Sequence, residues 1–357
     1  MNTNLNEIMK QFGIETDAEI TLYGNGHINQ TYLVPGKTRY ILQRINTSIF
    51  DPKKVMENIA AVTAYLGEQI KAAGGNPLRE TLTLVPTVDG LPYYTDPEGG
   101  AWRVYYFIED SCSLDRANSP EIFASSAHAF GRFQRMLADF PADKLHEVIV
   151  KFHDTGDRLR QFREALANDA KGRAGSVRDE IDFVLSRADY VTKITDAIAD
   201  GSVPLRVTHN DTKLNNVMLD PVTYAGVCVI DLDTVMPGSM LYDFGDSLRF
   251  GASTGAEDEV DLSKIEFDLS YFEAFTKAFL EEVGESITPR EKELLGFSAL
   301  LLTFECGIRF LADYLNGDTY FRIHREHHNL DRCRTQFKLV SDMEAKMDEM
   351  NRIVAKY

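Results

Sequence analysis

Between Glu19 and Ile45 apolar and polar residues alternate with a period of two. This predicts strands at Glu19–Tyr23, Gln30–Val34 and Thr38–Ile45, with Pro35-Gly36-Lys37 as a turn. Two further strands are expected at Thr81–Val85 and Trp102–Ile108, the second led by the turn Pro97-Glu98-Gly99-Gly100. Helical spacing precedes and interrupts this pattern. Leu5, Ile8, Met9 and Phe12 share one side of a short helix over 4–13, and Val55, Ile59, Val62 and Leu66 mark a helix over Pro52–Ile70. Residues 71–80 read as a loop. From Ser119 the period becomes helical: Ser119-Pro120-Glu121 reads as a helix start, followed by a stripe of Ile122, Phe123, Phe130, Phe133 and Leu137. More helices are expected over 155–168, 177–199, 269–283, 289–315 and 325–353, and Thr288 and Glu291 have the spacing of a capping box. The layout is α+β, a small sheet-rich lobe over 1–108 and a large helical lobe over 109–357.

Embedded in the helical part is a stretch with another character, Arg206–Gly251. His209-Asn210-Asp211 is followed by Asn216, and Asp231 ends the apolar run Val227–Ile230. Phosphoryl transfer needs a carboxylate beside the attacking hydroxyl and hard oxygen ligands for Mg²⁺. Asp211 supplies the first. A loop and strand of this length can return Asn216 and Asp231 as the second. His209 is expected to brace the loop. Asp243-Phe244-Gly245 imitates a kinase metal motif, but no apolar strand precedes it. Asp243 is therefore expected to be a buried acceptor for loop amides, and Asp246 stays open.

Composition narrows the partners. The 357 residues carry a net charge of −17, which argues against nucleic acid or an anionic membrane as main partner, though not against ATP. Cys112, Cys228, Cys306 and Cys333 lack CxxC spacing and are expected as reduced thiols. The N-terminus has no signal-peptide pattern and no run of about 20 apolar residues is present, so a cytoplasmic protein without a membrane span is expected.

The chain resembles the aminoglycoside phosphotransferase/choline kinase group of small-molecule kinases. Within that group it is similar to bacterial kinases that phosphorylate the anomeric hydroxyl of N-acetylhexosamines. The similarity runs through YGNGHINQTYLV (23–34), RYILQRINTSIF (39–50), GGAWRVYYFIE (99–109), RVTHNDTKLNN (206–216), IDLDTVMPGSMLYDFGDSLRFGAST (230–254) and ECGIRFLADYLNGDTYF (305–321). The resemblance implies a protein-kinase-like two-lobed fold, ATP as co-substrate and Mg²⁺. It implies that N-acetylglucosamine or N-acetylgalactosamine is converted to the 1-phosphate by a monomer, with Asp211 as base and Asn216 and Asp231 on the metal. Gly24 and Gly26 would cover the phosphates, and Phe107 and Ile108, at a strand end with free backbone groups, would receive the adenine edge. His27, Phe250, Arg309 and Tyr320 would bind the sugar, and Asp233 would stand behind the metal.

One departure concerns the strand that bears a lysine in protein kinases, where Gln43 stands with Arg44 beside it on the opposite face. Either Gln43 donates to the phosphates or Arg44 turns inward. Alternatives for the whole chain are a same-fold kinase for another sugar, an amino alcohol or homoserine, or a nucleotide-binding module without turnover.

Overall fold

In the computed structural model, which describes residues 5–24 and 28–357, the alternating segments pair as antiparallel strands. These are β1 (Thr21–Leu22), β2 (Gln30–Val34), β3 (Tyr40–Ile45), β4 (Leu84–Val85), β5 (Tyr94–Thr95) and β6 (Ala101–Tyr106). They form one sheet in the order β1-β2-β3-β6-β4, with β5 paired to β6 around the predicted turn. Because side chains alternate between faces, the register decides which residues meet. Leu42 lies opposite Val104, and Arg44 opposite Trp102. With Val34, this face packs on Ile8, Met9 and Phe12 of the N-terminal helix segment. On the other face Thr31 lies opposite Gln43, and Gln43 opposite Arg103, giving a polar row across the sheet.

The chain divides into two compact units. The first holds Met1–Ser113, Met136–Val150 and Asn216–Pro237, and the second Leu114–Arg135, Lys151–Asn215 and Gly238–Tyr357. The break at 113/114 lies near the expected 108/109, but two later segments join the sheet unit. Asn58, on the helix Pro52–Ala72, is the buried tie. Its amide donates to the carbonyls of His146 and Val235 at 2.8 Å each, and its carbonyl accepts from the His146 N–H. The hairpin Val217–Leu219/Gly226–Val229 therefore belongs to the sheet unit rather than to the helical remainder.

The second unit is helical. Helices Thr155–Asn168, Leu269–Val283, Pro289–Asn316 and His328–Lys356 fall where the spacing predicts, and Thr288 and Glu291 form the capping box. Pro289–Asn316 has the length and hydropathy of a membrane span. It is nonetheless the buried core helix of this unit. The helix expected over 177–199 is broken into Arg178–Leu185 and Lys193–Ala199. The intervening turn lets Arg187 and Tyr190 both reach the Glu344 carboxylate.

A helix at Met240–Gly251 was not expected. Met240 through Arg249 are all buried, including Asp243, Asp246 and Ser247, which form a polar stripe at helical spacing. Gly245 is needed there, because a Cβ would lie 2.5 Å from the Ser298 carbonyl oxygen of the core helix. The four cysteines are free thiols.

Candidate active site

The loop bearing Asp211 is held by carboxylates. In the helical unit Asp243 accepts from the backbone N–H groups of His209 (2.9 Å) and Asn210 (2.7 Å) and from the Gln134 amide (2.6 Å). The expected role of Asp243 thus has a geometric basis. Burial pushes its carboxyl above the usual range, against the pull of His209 and these three donors. Asp246, left open by the sequence, accepts from the Thr212 N–H (3.1 Å) and pairs with Arg249 (3.0 Å), which in turn pairs with Glu257. The His209 ring packs edge-on to Phe130 and Phe133, as a brace should.

Asp211 itself is half-buried, with the Lys213 ammonium 2.7 Å from its carboxylate. Burial opposes the Lys213 charge, but Asp211 beside it wins and holds the ammonium above its ordinary range. Sequence reasoning passed over this lysine. Its signal was its place two residues beyond the candidate base.

In the sheet unit the two candidate metal ligands come from one hairpin. Val217 pairs with Val229, and the Ile230 N–H donates to the Asn216 carbonyl at 2.9 Å. Asn216 therefore lies across from the residue preceding Asp231. Asp231 has φ 60°, in the left-handed region that few non-glycine residues occupy, so the chain turns sharply where the carboxylate emerges. The amide oxygen of Asn216 and the carboxylate of Asp231 are hard donors of the kind Mg²⁺ takes when phosphates and water complete its shell.

Behind Asp231 stands a residue the sequence reading missed. Arg103, 1% exposed on β6, pairs with Asp233, which also accepts from the Asn29 amide. Burial opposes the Arg103 charge, and Asp233 outweighs it, holding the guanidinium above its ordinary range. Gln43 belongs to the same network. Its Oε1 accepts from Arg103 Nε at 3.0 Å and its Nε2 donates to Thr31 at 3.0 Å. Arg44 faces away on the other side of the sheet, over the Trp102 ring at 5.7 Å. The bulge that would turn Arg44 inward is absent, since β3 pairs residue for residue with both neighbours.

Of the other nucleotide-side residues, Gly24 has φ 76°, and no described residue stands within 4 Å of where its Cβ would lie. Gly26 and His27 lie outside the described residues. Tyr23 packs edge-on to Phe107, which also lies under the Arg39 guanidinium at 4.0 Å. Two of the backbone groups at this strand end have partners within the fold. The Phe107 N–H donates to the Arg39 carbonyl, and the Ile108 carbonyl accepts from Ser111.

Besides His27, the acceptor-side residues Phe250, Arg309 and Tyr320 lie in the helical unit, in two places. Arg309, half-buried on the core helix, sits between the rings of Phe152 and Phe321, 5.5 Å from each centroid. Its guanidinium makes no hydrogen bond or ion pair with the described residues. Tyr320, 72% exposed, packs edge-on to the same Phe321. Phe250 instead lines a cavity of about 230 Å³ with Phe123, Leu214, Arg249, Glu257 and Gln336, and neither Arg309 nor Tyr320 reaches its wall.

Comparison with known proteins agrees with this layout. Residues 19–281 match the model of the phosphotransferase enzyme family. The fold is shared along nearly the whole chain with a microcompartment-associated aminopropanol kinase (15% identity, 97% of this chain and 98% of that one, TM-score 0.68). It is shared as well with an aminoglycoside phosphotransferase from Alicyclobacillus acidocaldarius (15% identity, 98% and 96%, TM-score 0.63). An amicoumacin kinase in complex with AMP-PNP and Ca²⁺ is a third such structure (13% identity, 92% and 88%, TM-score 0.55). With the sheet unit and the helical unit in place and 19–281 matched, the chain belongs to the phosphotransferase enzyme family.

Proposed function

We propose that this kinase transfers the γ-phosphoryl group of ATP to the anomeric hydroxyl of N-acetylglucosamine or N-acetylgalactosamine, giving the sugar 1-phosphate and ADP. The observation that carries the acceptor class is Arg309, a half-buried guanidinium held between two aromatic rings with its donors uncommitted. A planar fork of N–H groups suits the paired oxygens of a neutral, hydroxyl-rich molecule, and aromatic faces suit its ring. An amino alcohol would bring a like charge towards Arg309, which disfavours that alternative.

In this reading Asp211 orients the acceptor hydroxyl and takes its proton as the oxygen attacks the γ-phosphorus and the bond to the β-phosphate oxygen breaks. Lys213 lies 2.7 Å from the Asp211 carboxylate, where it offsets the negative charge that the acceptor and the phosphates bring together. Asn216 and Asp231 would hold Mg²⁺, which when bound offsets the charge on the phosphates. The Arg103–Asp233 pair steadies the turn from which Asp231 emerges.

ADP release from ATP tests the reading, with N-acetylglucosamine, N-acetylgalactosamine, galactose, choline, aminopropanol and homoserine as acceptors. Turnover with the two N-acetylhexosamines and an acid-labile sugar phosphate as product are expected. Turnover confined to the amino alcohols or homoserine would refute the acceptor assignment and leave the kinase assignment standing.

A further inference from the structure

Beneath the loop of Asp211 lies a buried histidine–carboxylate pair that the reading above does not use. His153 Nδ1 is 2.9 Å from Glu305 Oε1, and His153 Nε2 is 3.3 Å from the backbone carbonyl oxygen of Asn210. The Thr155 hydroxyl donates to the other Glu305 oxygen at 2.7 Å. His153, Thr155 and Glu305 are all buried.

The protons can be placed from the partners. A carbonyl oxygen only accepts, so Nε2 carries a hydrogen. Between Nδ1 and Glu305 one more proton is needed. Burial opposes charge on both groups, but each favours the charged form of the other. His153 is held above the usual imidazole range and Glu305 below the usual carboxylate range. Both ring nitrogens face oxygen acceptors, so the charged form of the ring can donate from each.

What the ring holds is specific. Asn210 has φ 66°, an unusual conformation for a side-chain-bearing residue. Its N–H is fixed on Asp243, and its carbonyl is the one His153 grips. That carbonyl belongs to the peptide leading into Asp211, whose N–H donates to His209 Nδ1 at 3.3 Å. The peptide plane before Asp211 is therefore gripped at both its oxygen and its hydrogen. With a peptide plane rigid about its C–N bond, this sets the direction in which the Asp211 side chain leaves the backbone.

We propose that His153, braced by Glu305, is a positioning residue for catalysis: its hydrogen bond to the Asn210 carbonyl sets the aim of the Asp211 carboxylate at the acceptor hydroxyl. The proposal rests on Asp211 being the base.

Removing His153 alone would leave Glu305 buried without its cation, and the chain could fail to fold. Two double variants avoid this. His153→Gln with Glu305→Gln keeps an amide donor towards Asn210, and His153→Leu with Glu305→Gln does not. Both keep an acceptor for Thr155 and bury no charge. Steady-state turnover of ATP and N-acetylglucosamine, melting temperature and hydrogen exchange over 208–213 are compared in the two, with Asp211→Asn alongside. In the Leu-containing double variant kcat is expected to be at least about tenfold below the Gln-containing one, because misaiming by a fraction of an ångström is enough for that. Both KM values should stay within about threefold, as neither substrate is touched. The 208–213 amides should exchange faster in the Leu-containing variant, a readout that needs no acceptor. Equal kcat, or equal exchange, in two folded double variants would overturn the proposal. An Asp211→Asn enzyme that keeps wild-type kcat would remove the base assignment itself, which the double variants do not test.

Discussion

The sheet unit and the helical unit both bury side-chain charge pairs, but they distribute the remaining contacts differently. In the sheet unit one guanidinium is committed inward. Arg103 meets Asp233 and Gln43, and the cluster joins side chain to side chain. In the helical unit the carboxylates and His153 grip main-chain atoms, with Asp243 on two N–H groups, Asp246 on a third and His153 on a carbonyl. The same unit keeps a half-buried guanidinium, Arg309, whose donors meet no hydrogen-bond or ion-pair partner among the described residues. A side-chain pair concentrates its energy in one contact. Backbone grips spread it over several, so the chain path near Asp211 survives the loss of one better than the turn at Asp231 survives the loss of Arg103.

The contrast is open to attack at four points, in falling order of effect. Arg103→Met should cost about 3–5 kcal/mol of stability, since Asp233 then stays buried without its cation. Urea unfolding measures it, and a loss below about 1 kcal/mol would show that Asp233 finds another partner. Arg309→Leu should do the reverse. Unfolding should scarcely change, while kcat/KM for the sugar falls by about 2–4 kcal/mol with little change for ATP. Arg309→Lys should not restore it, because one ammonium cannot replace a fork. Full activity in the Lys variant would mark Arg309 as packing alone.

Asp243→Asn sits lower on the scale. One amide oxygen can still accept from the loop, so a loss of about 1–3 kcal/mol is expected in thermal or urea unfolding. A wild-type melting curve together with lost metal binding would instead make Asp243 a ligand. Gln43→Ala should have the smallest effect. It removes an amide oxygen that accepts from the Arg103 guanidinium without meeting the nucleotide, so the rise in KM for ATP should correspond to about 0.5–1.5 kcal/mol at most. A larger rise would mean that Gln43 meets the phosphates directly.

Much of the fold was written in periodicity. Gln30–Val34 was bounded by its β-branched and aromatic residues and the Pro35-Gly36-Lys37 turn after it, and Thr155–Asn168 by a buried stripe of Leu159, Phe162 and Ala165 that carries its own period. The cap at Thr288 was legible for the same reason, since its hydrogen bonds are local. Asp211, Asn216 and Asp231 could be picked out because a short loop and hairpin bring their spacing into the sequence. The helix Met240–Gly251 could not be picked out as a surface helix, because its polar stripe of Asp243, Asp246 and Ser247 is buried against the loop of Asp211. Nor could Arg103 as the partner of Asp233, 130 residues apart, or His153 as the grip on Asn210. Those pairings depend on which strands lie side by side and which helix passes beneath a loop. Only tertiary packing decides that, and burial then makes each pairing obligatory, because a charge or carbonyl taken from water must find a partner.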